Sequence, residues 1–144
     1  MKIIMFGTKA QEKQYAQDWA KKTGNEVHMT TEELNDDTVD QVNGFDGVVT
    51  QQTTSLGSPK VYEKLASYGI KQIGTRTAGF DMIDLDAAKD NGLTVTRVSI
   101  YSPRAIAEMG ATQAMYLNRR IGEFNQRMNE EHDFRWSPDM TSNE

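Results

Sequence analysis

Two short stretches of the chain carry residue types that can bind a small acid. The first, residues 76–84, follows an apolar run and contains Gly79. A glycine turn at a strand end leaves backbone N–H groups free to hold a carboxylate or a phosphate. The second, Tyr101-Ser102-Pro103, brings a hydroxyl and an aromatic ring to the end of another apolar run. Because α/β folds bind ligands at the carboxyl ends of their strands, we predict that these stretches form half of a small-acid site.

The same residues also have purely structural explanations. The residue types alone do not decide between a structural role and a role in binding a ligand. Gly79 could serve only a backbone conformation with positive φ, which glycine adopts without strain. Tyr101 could pack beside the helix that Pro103 begins, or cap it. Gln51 and Gln52, in a polar stretch between two apolar runs, could be solvated loop residues.

Several other chemistries lack the residues that they require. The sequence has no G-x-G-x-x-G and no Walker-type loop, so nothing in it matches a dinucleotide or nucleoside triphosphate site. It has no cysteine, and its two histidines, His28 and His132, stand far apart, so we predict no metal site. A net charge of −5 argues against nucleic acid as a partner, because phosphate binding requires a positive field.

The composition is that of one globular domain. The 144 residues are 37% apolar and 26% charged, which suits a single core but not two large ones. No run approaches the roughly 18 apolar residues of a membrane span, and the first residues are typical of a strand, not of a signal peptide. Together with the absence of cysteine, this favours a cytoplasmic protein with no membrane partner.

Apolar runs separated by helical patterns predict the elements that position the two stretches. Five predicted strands cover residues 2–7, 26–30, 46–50, 71–77 and 93–99. Helical patterns lie at residues 11–22, 59–68 and 84–90, with shorter helical pieces at 31–34 and 37–42. Strands that alternate with helices indicate an α/β fold with a doubly wound, parallel five-stranded sheet.

A long C-terminal helix is predicted after the sheet. Ser102 is a good N-cap, Pro103 suits the first helical turn, and apolar residues then repeat at helical spacing. The repeating residues are Leu117, Ile121, Phe124 and Met128. This pattern predicts one helix, with a core or interface face, that ends near His132. Residues 133–144 show no periodicity and are predicted to form a tail.

The order of these pieces resembles the D-isomer-specific 2-hydroxyacid dehydrogenase family. Residues 76–84 read Arg-Thr-Ala-Gly-Phe-Asp-Met-Ile-Asp, and about twenty residues later Tyr101-Ser102-Pro103 opens a helix. The likeness extends from residues 1–4 through 44–47 to the Arg-Trp-Ser-Pro run at 135–138. It is closest to the lactobacillus-type D-lactate and D-2-hydroxyisocaproate dehydrogenases.

This resemblance implies a domain plan. Residues 1–102 would form a flavodoxin-like substrate-binding (catalytic) domain, residues 103–132 a long helix, and residues 133–144 a hinge or linker tail. In this family an NAD-binding Rossmann domain follows the hinge, and the catalytic histidine, its partner glutamate and a substrate-binding arginine lie there. We therefore expect no catalytic residue in this chain, which alone should be inactive.

Carried over by position, the resemblance implies that the backbone amides of Ala78 and Gly79 hold the substrate carboxylate. Tyr101 would line the same pocket and contact both the substrate and the cofactor. Ile106 would pack against the nicotinamide. Relatives usually carry valine at position 78. Ala78 would therefore enlarge the pocket, which suits a bulkier substrate side chain.

Two glutamines complete the implied substrate site. Gln51 falls where relatives vary between tyrosine and aliphatic residues that meet the substrate side chain. Gln52 matches a glutamine that the relatives also carry. The residues implied by the resemblance would bind the substrate and define the shape of its pocket, and none of them would transfer a proton.

Two functions from different classes follow. The first is the substrate-binding part of an NAD-dependent oxidoreductase that interconverts 2-oxoacids and D-2-hydroxyacids, in a parent protein that is a homodimer. The second is a stand-alone, non-catalytic module that binds small carboxylates.

Overall fold

The structure is a computed structural model that describes residues 1–135. The chain divides into two compact units, of which the first is Met1–Ser99 and the second begins at Ile100. The three-part division at residues 102 and 132 stays a prediction, and residues 136–144 of the predicted tail lie outside the described residues. No helix within residues 1–135 is long and apolar enough to cross a membrane.

The first unit is built on a five-stranded parallel sheet. Its strands are β1 (Lys2–Met5), β2 (Glu26–Met29), β3 (Gly47–Thr50), β4 (Gln72–Thr75) and β5 (Thr94–Thr96). Each strand lies inside its predicted range. The order across the sheet is β2-β1-β3-β4-β5, and every neighbouring pair is parallel. This order confirms the predicted doubly wound, flavodoxin-like α/β fold.

Helices connect the strands where the sequence predicts them. They are α1 (Lys13–Thr23), α2 (Pro59–Ser67) and α3 (Leu85–Asp90), with 3-10 turns at Ala10–Glu12 and Val39–Val42. Local chemistry sets their ends, since Gly24 adopts the left-handed conformation after α1 and Pro59 begins α2. The Asp84 carboxylate accepts a hydrogen bond from the N–H of Ala87 at 2.9 Å and caps α3.

One face of the sheet carries the main core. Side chains alternate along a strand, so Ile4, Val48 and Ile73, which are in register on β1, β3 and β4, share this face. They are buried in one cluster with Tyr62 and Leu65 of α2. Full burial of each such side chain contributes about 1.5–3 kcal/mol to the stability of the folded state. This buried layer therefore holds the three strands in place, and with them the strand ends that form the candidate site.

The helical piece predicted at residues 31–34 is wrong. Leu34 is buried, its N–H donates to Oε1 of Gln52 at 3.0 Å, and its carbonyl accepts from Nε2 of Gln52 at 2.9 Å. Because one glutamine side chain uses both backbone groups of Leu34, those groups are not available for helical hydrogen bonds.

As far as residue 135, the second unit contains two α-helices and a π-helical segment instead of one long helix. These are α4 (Pro103–Asn118), α5 (Ile121–Gln126) and the π-helical segment Arg127–Glu131. The predicted single helix to His132 is therefore correct only as far as Asn118. Arg120 has a φ of 48°, a left-handed conformation that interrupts helical geometry between α4 and α5.

Candidate functional site

The ends of the three central strands bring several predicted residues to one edge of the sheet. Since β1, β3 and β4 are adjacent and parallel, the positions that follow them, Gly7, Gln51 and Arg76, lie at the same edge. The N–H of Arg76 donates to the carbonyl of Thr50 at 3.0 Å and holds the last residues of β3 and β4 together. The turn that contains Ala78 starts directly from this contact.

The turn after β4 uses its carbonyl groups within the protein and leaves two N–H groups unused. The carbonyl of Thr77 accepts a hydrogen bond from the N–H of Val98 at 3.1 Å. The hydroxyl Oγ1 of Thr77 donates a hydrogen bond to the carbonyl of Gly79 at 2.7 Å. The carbonyl of Ala78 accepts from Nη1 of Arg97 at 2.9 Å. The N–H groups of Ala78 and Gly79 donate no hydrogen bond within residues 1–135, and both residues are exposed. Two successive N–H groups of this kind suit a carboxylate.

Gly79 is not required by its backbone conformation. Six other glycines have positive φ, among them Gly7 at 62°, but Gly79 does not. A Cβ at position 79 would have Oδ2 of Asp81 as its nearest neighbour, at the ordinary contact distance of 3.9 Å. The conformational explanation that the sequence left open for Gly79 therefore does not apply.

Arg76 joins the turn to the end of β1 and to the beginning of α1. Its Nε donates to Oε1 of Glu12 at 2.9 Å, and its Nη2 donates to the carbonyls of Phe6 and Gly7 at 3.1 Å each. The pair is largely enclosed, with the side chains of Arg76 and Glu12 only 17% and 27% exposed. Nη1 of Arg76 is buried and has no partner in the described part of the chain.

The environment of Glu12 keeps this ion pair charged. Burial would raise the pKa of the Glu12 carboxyl, but hydrogen bonds from Arg76 and from the N–H of Lys9 outweigh burial. The pKa of Glu12 therefore lies below its ordinary value of 4.5. The contact between Arg76 and Glu12 thus persists at neutral and mildly acidic pH.

The two predicted glutamines differ in how far the protein uses their amides. Gln52 is buried, and its Oε1 accepts from Oγ1 of Thr50 at 2.6 Å in addition to its bonds with Leu34. Gln51 is half-buried, its side chain makes no hydrogen bond within residues 1–135, and its Oε1 is buried. Gln52 thus supports the loop, and its substrate contact stays a prediction, whereas Gln51 keeps its hydrogen-bonding capacity.

A depression of about 250 Å³ opens beside these residues. All of its lining side chains are polar or charged: Lys9, Glu33, Gln51, Gln52, Thr53 and Thr77. Because Thr77 directly precedes Ala78, the depression adjoins the turn with the two unused N–H groups. It is the candidate substrate site of the first unit.

A larger cavity, of about 430 Å³, lies between α1 and the sheet. Its lining is mostly apolar and includes Trp19, Val27 and Val49. The charged residues that line it, Arg76 and Glu12, already neutralise each other. This cavity therefore suits an apolar group better than the carboxylate of a small acid.

Tyr101 and Ile106 belong to the second unit. Tyr101 lies two residues before α4, and Ile106 lies on the first turns of that helix. These residues are 77% and 68% exposed, so neither is buried by packing within the described residues. Their roles beside the substrate and the nicotinamide stay predictions.

Sequence reasoning missed the role of Arg76, which connects the turn to the end of β1 and to Glu12. Val49 of β3 and Arg76 after β4 both line the cavity between α1 and the sheet, so they lie on the face that carries α1. An acidic residue near the start of α1 could have been paired with Arg76 on that ground. Lys9 and Glu33, in contrast, come from loops, and no periodicity predicts the course of a loop.

Comparisons with known proteins identify the family to which this chain is similar. The sequence profile described as D-isomer specific 2-hydroxyacid dehydrogenase, catalytic domain, matches residues 3–133. The D-lactate dehydrogenase of Staphylococcus aureus (strain Mu50) is 46% identical over 141 residues, which are 98% of this chain and 42% of that protein. The D-2-hydroxyacid dehydrogenase (NAD+) of Lacticaseibacillus paracasei is 44% identical over 123 residues, or 85% of this chain and 37% of that protein.

A solved structure is similar to this chain in both fold and sequence. The NAD-complexed D-isomer specific 2-hydroxyacid dehydrogenase from Lactobacillus delbrueckii ssp. bulgaricus superposes with a TM-score of 0.77 at 46% identity. The superposition covers 100% of this chain and 44% of that one. The chain thus spans less than half the length of the relatives that it matches.

Proposed function

Since this chain belongs to the D-isomer specific 2-hydroxyacid dehydrogenase family, we propose that it is the substrate-binding part of an NAD-dependent oxidoreductase. The reaction would interconvert 2-oxoacids and D-2-hydroxyacids. The observation that carries the proposal is that Ala78 and Gly79 are exposed and that no described residue accepts a hydrogen bond from their N–H groups. A stand-alone carboxylate-binding module is the weaker alternative, because a relative that matches 98% of the chain is a dehydrogenase.

The contribution of this chain to the reaction would be to bind and orient the substrate. The N–H groups of Ala78 and Gly79 donate to the carboxylate, and such charge-assisted hydrogen bonds fix the acid group without a further fixed charge. The 2-oxo carbon next to the carboxylate is then presented in one orientation, which lowers the entropic cost of reaching the transition state. The group that moves the proton lies outside residues 1–144 in this proposal.

The residues of the second unit would face the cofactor. NAD, when bound, supplies or accepts the hydride. The exposed side chains of Tyr101 and Ile106 fit a contact with the flat nicotinamide ring. Because the sequence has no G-x-G-x-x-G, we assign this chain no part in binding the pyrophosphate, which would fall to a Rossmann domain as partner.

Two further expectations belong to the same proposal. The parent protein would be a homodimer, which the exposed apolar residues Met115 and Leu117 of α4 favour. It would act in the cytoplasm, as the absence of cysteine favours.

A chimera tests the proposal. Residues 1–135 of this chain replace the corresponding segment of the Staphylococcus aureus D-lactate dehydrogenase, and the oxidation of NADH by a 2-oxoacid is followed by absorbance. We expect turnover by the chimera and none by either part alone. A chimera that is folded by circular dichroism and binds NADH, but turns over no 2-oxoacid, would contradict the proposed function.

A further inference from the structure

We propose that Arg97 is a positioning residue that aims the N–H of Gly79 at the carboxylate of the substrate. Arg97 comes directly after β5, on a different segment from the turn that holds the acid. This inference rests on the proposed function, because it concerns how the binding turn of the same site keeps its shape.

The orientation of one peptide group is the first observation. In a trans peptide the carbonyl and the N–H point in opposite directions, and every peptide bond within residues 1–135 is trans. The carbonyl of Ala78 belongs to the same peptide group as the N–H of Gly79, and it accepts from Nη1 of Arg97 at 2.9 Å. Arg97 therefore fixes the direction of the Gly79 N–H from the side of the peptide group that faces away from the acid.

The preceding peptide group is held from the same segment. The carbonyl of Thr77 shares a peptide group with the N–H of Ala78, and it accepts from the N–H of Val98 at 3.1 Å. Two adjacent residues after β5 thus orient the two N–H groups, one through its backbone and one through its side chain. Only the contact of Arg97 depends on the type of side chain, so a substitution can remove it alone.

The pairing of β4 with β5 places Arg97 beside the turn. The two strands are parallel, and Gly74 lies opposite Thr96 at the carboxyl end of their register. The hydrogen bond between Val98 and Thr77 continues this pairing beyond the strands. Arg97 therefore lies within a backbone course that the sheet itself defines.

A second contact holds the guanidinium over the turn. Its carbon Cζ lies 5.3 Å from the ring centroid of Phe80, which is a cation–π arrangement. Arg97 thus contacts the residues on both sides of Gly79. A cation that donates to the carbonyl of Ala78 also polarises the peptide group, which makes its N–H a stronger donor.

A titration of the ¹⁵N,¹³C-labelled chain with pyruvate tests this inference. The amide resonances of Ala78 and Gly79 report binding, and the ¹³C′ resonance of Ala78 reports the hydrogen bond to its carbonyl. Arg97→Met removes the donors at an exposed position and so leaves the core intact. We expect the ¹³C′ resonance of Ala78 to move upfield and the affinity for pyruvate to fall about 3- to 10-fold, as the loss of one hydrogen bond predicts.

Two further variants separate the hydrogen bond from the charge. Arg97→Lys keeps a cation that can donate to the carbonyl and lie over the ring of Phe80, so the ¹³C′ resonance and the affinity should return together, the affinity to within about twofold. Lys71→Met removes an exposed cation just before β4, at the opposite edge of the sheet, and should change neither quantity.

Each outcome decides one claim. An unchanged affinity in Arg97→Met, a loss of affinity that does not follow the ¹³C′ resonance of Ala78, or an equal loss in Lys71→Met would overturn the inference and leave the proposed function standing. No saturable shift of Ala78 or Gly79 by pyruvate in the unmodified chain would overturn the proposed function itself.

Discussion

The guanidinium of Arg76 donates to Glu12 and to two carbonyl groups at the end of β1, and so connects three segments at the site. Most of this pair is shielded from water. An enclosed ion pair stabilises a protein little more than two well-packed apolar side chains in its place would. Removing only one partner, however, leaves a buried charge without compensation and is destabilising. The arrangement therefore makes position 76 more sensitive to substitution than an exposed arginine would be.

Arg76→Met should destabilise the chain by about 1–3 kcal/mol, because Glu12 then keeps a partly buried charge without its cation. Urea unfolding at neutral pH measures this loss. The control is Arg76→Met combined with Glu12→Met, which removes both charges and should recover part of the stability. If the double variant were no more stable than the single one, the ion pair would not be the cause.

The same pair should make stability depend on pH. The pKa of Glu12 in the folded chain lies below its ordinary value of 4.5. Its contribution is therefore fully present above that value and is lost as the pH falls through the lowered pKa. Urea unfolding of the unmodified chain and of Glu12→Gln, compared between about pH 5 and pH 3, should show a smaller loss in the variant. Parallel losses in the two proteins would contradict this assignment.

At the scale of elements, the site depends on how closely the loop after β1 packs against the end of β3. Gly7 and Gly24 have almost the same positive φ, 62° and 67°. A Cβ at position 7 would meet the backbone of Gln51, whereas a Cβ at position 24 would meet nothing within 4 Å. The two glycines thus separate the cost of positive φ from the cost of a collision.

Gly7→Ala should therefore cost more stability than Gly24→Ala. The strain of a positive φ is common to both and amounts to about 1 kcal/mol, and the collision at position 7 should add about 1–3 kcal/mol. Thermal or urea unfolding of the two variants gives the difference. Equal losses would mean that the loop after β1 does not pack on Gln51 as described.

Elements were predictable where a repeated pattern defined them. The five strands, α2 and α3 follow from apolar runs bounded by proline, glycine or an N-cap, and these patterns depend only on neighbours in sequence. Residues 31–34 were not predictable, because the side chain of Gln52, eighteen residues after Leu34, takes the backbone groups of that residue. The break at Arg120 also lies within an apolar repeat that continues at helical spacing.

The candidate site likewise has features that were predictable from the sequence and features that were not. Parallel strands bring the turn after β4 and Gln51 to one edge. Topology predicted the position of the turn, whereas the role of Gln51 was implied only by the family resemblance. The polar lining supplied by Lys9 and Glu33, and the contact of Arg76 with Glu12, depend on loops and on a distant helix. Such contacts form only when the whole unit folds.

At the scale of the whole molecule, α4 presents a set of exposed apolar side chains. These are Ile106, Met109, Met115, Tyr116 and Leu117. Exposed apolar groups of this size on one helix favour association with another surface.

We therefore expect the chain to self-associate in a concentration-dependent manner, as measured by sedimentation velocity. Met115→Glu should weaken the association at least about tenfold, because a charge on the contact must be desolvated. Gln113→Glu introduces the same charge at an exposed polar position of α4 and should have a smaller effect. A monomer at all concentrations would contradict this expectation.

The account as a whole depends on the two N–H groups of the turn, and a pair of variants at Gly79 tests them directly. Gly79→Ala keeps the N–H and meets only an ordinary contact at 3.9 Å, whereas Gly79→Pro removes the N–H. Binding of pyruvate to each variant is measured by NMR titration, with unchanged resonances outside the turn as the test of folding. We predict that the alanine variant binds within about twofold of the unmodified chain and that the proline variant binds about 10- to 100-fold more weakly. Equal affinities of the two folded variants would contradict the claim that backbone N–H groups hold the carboxylate.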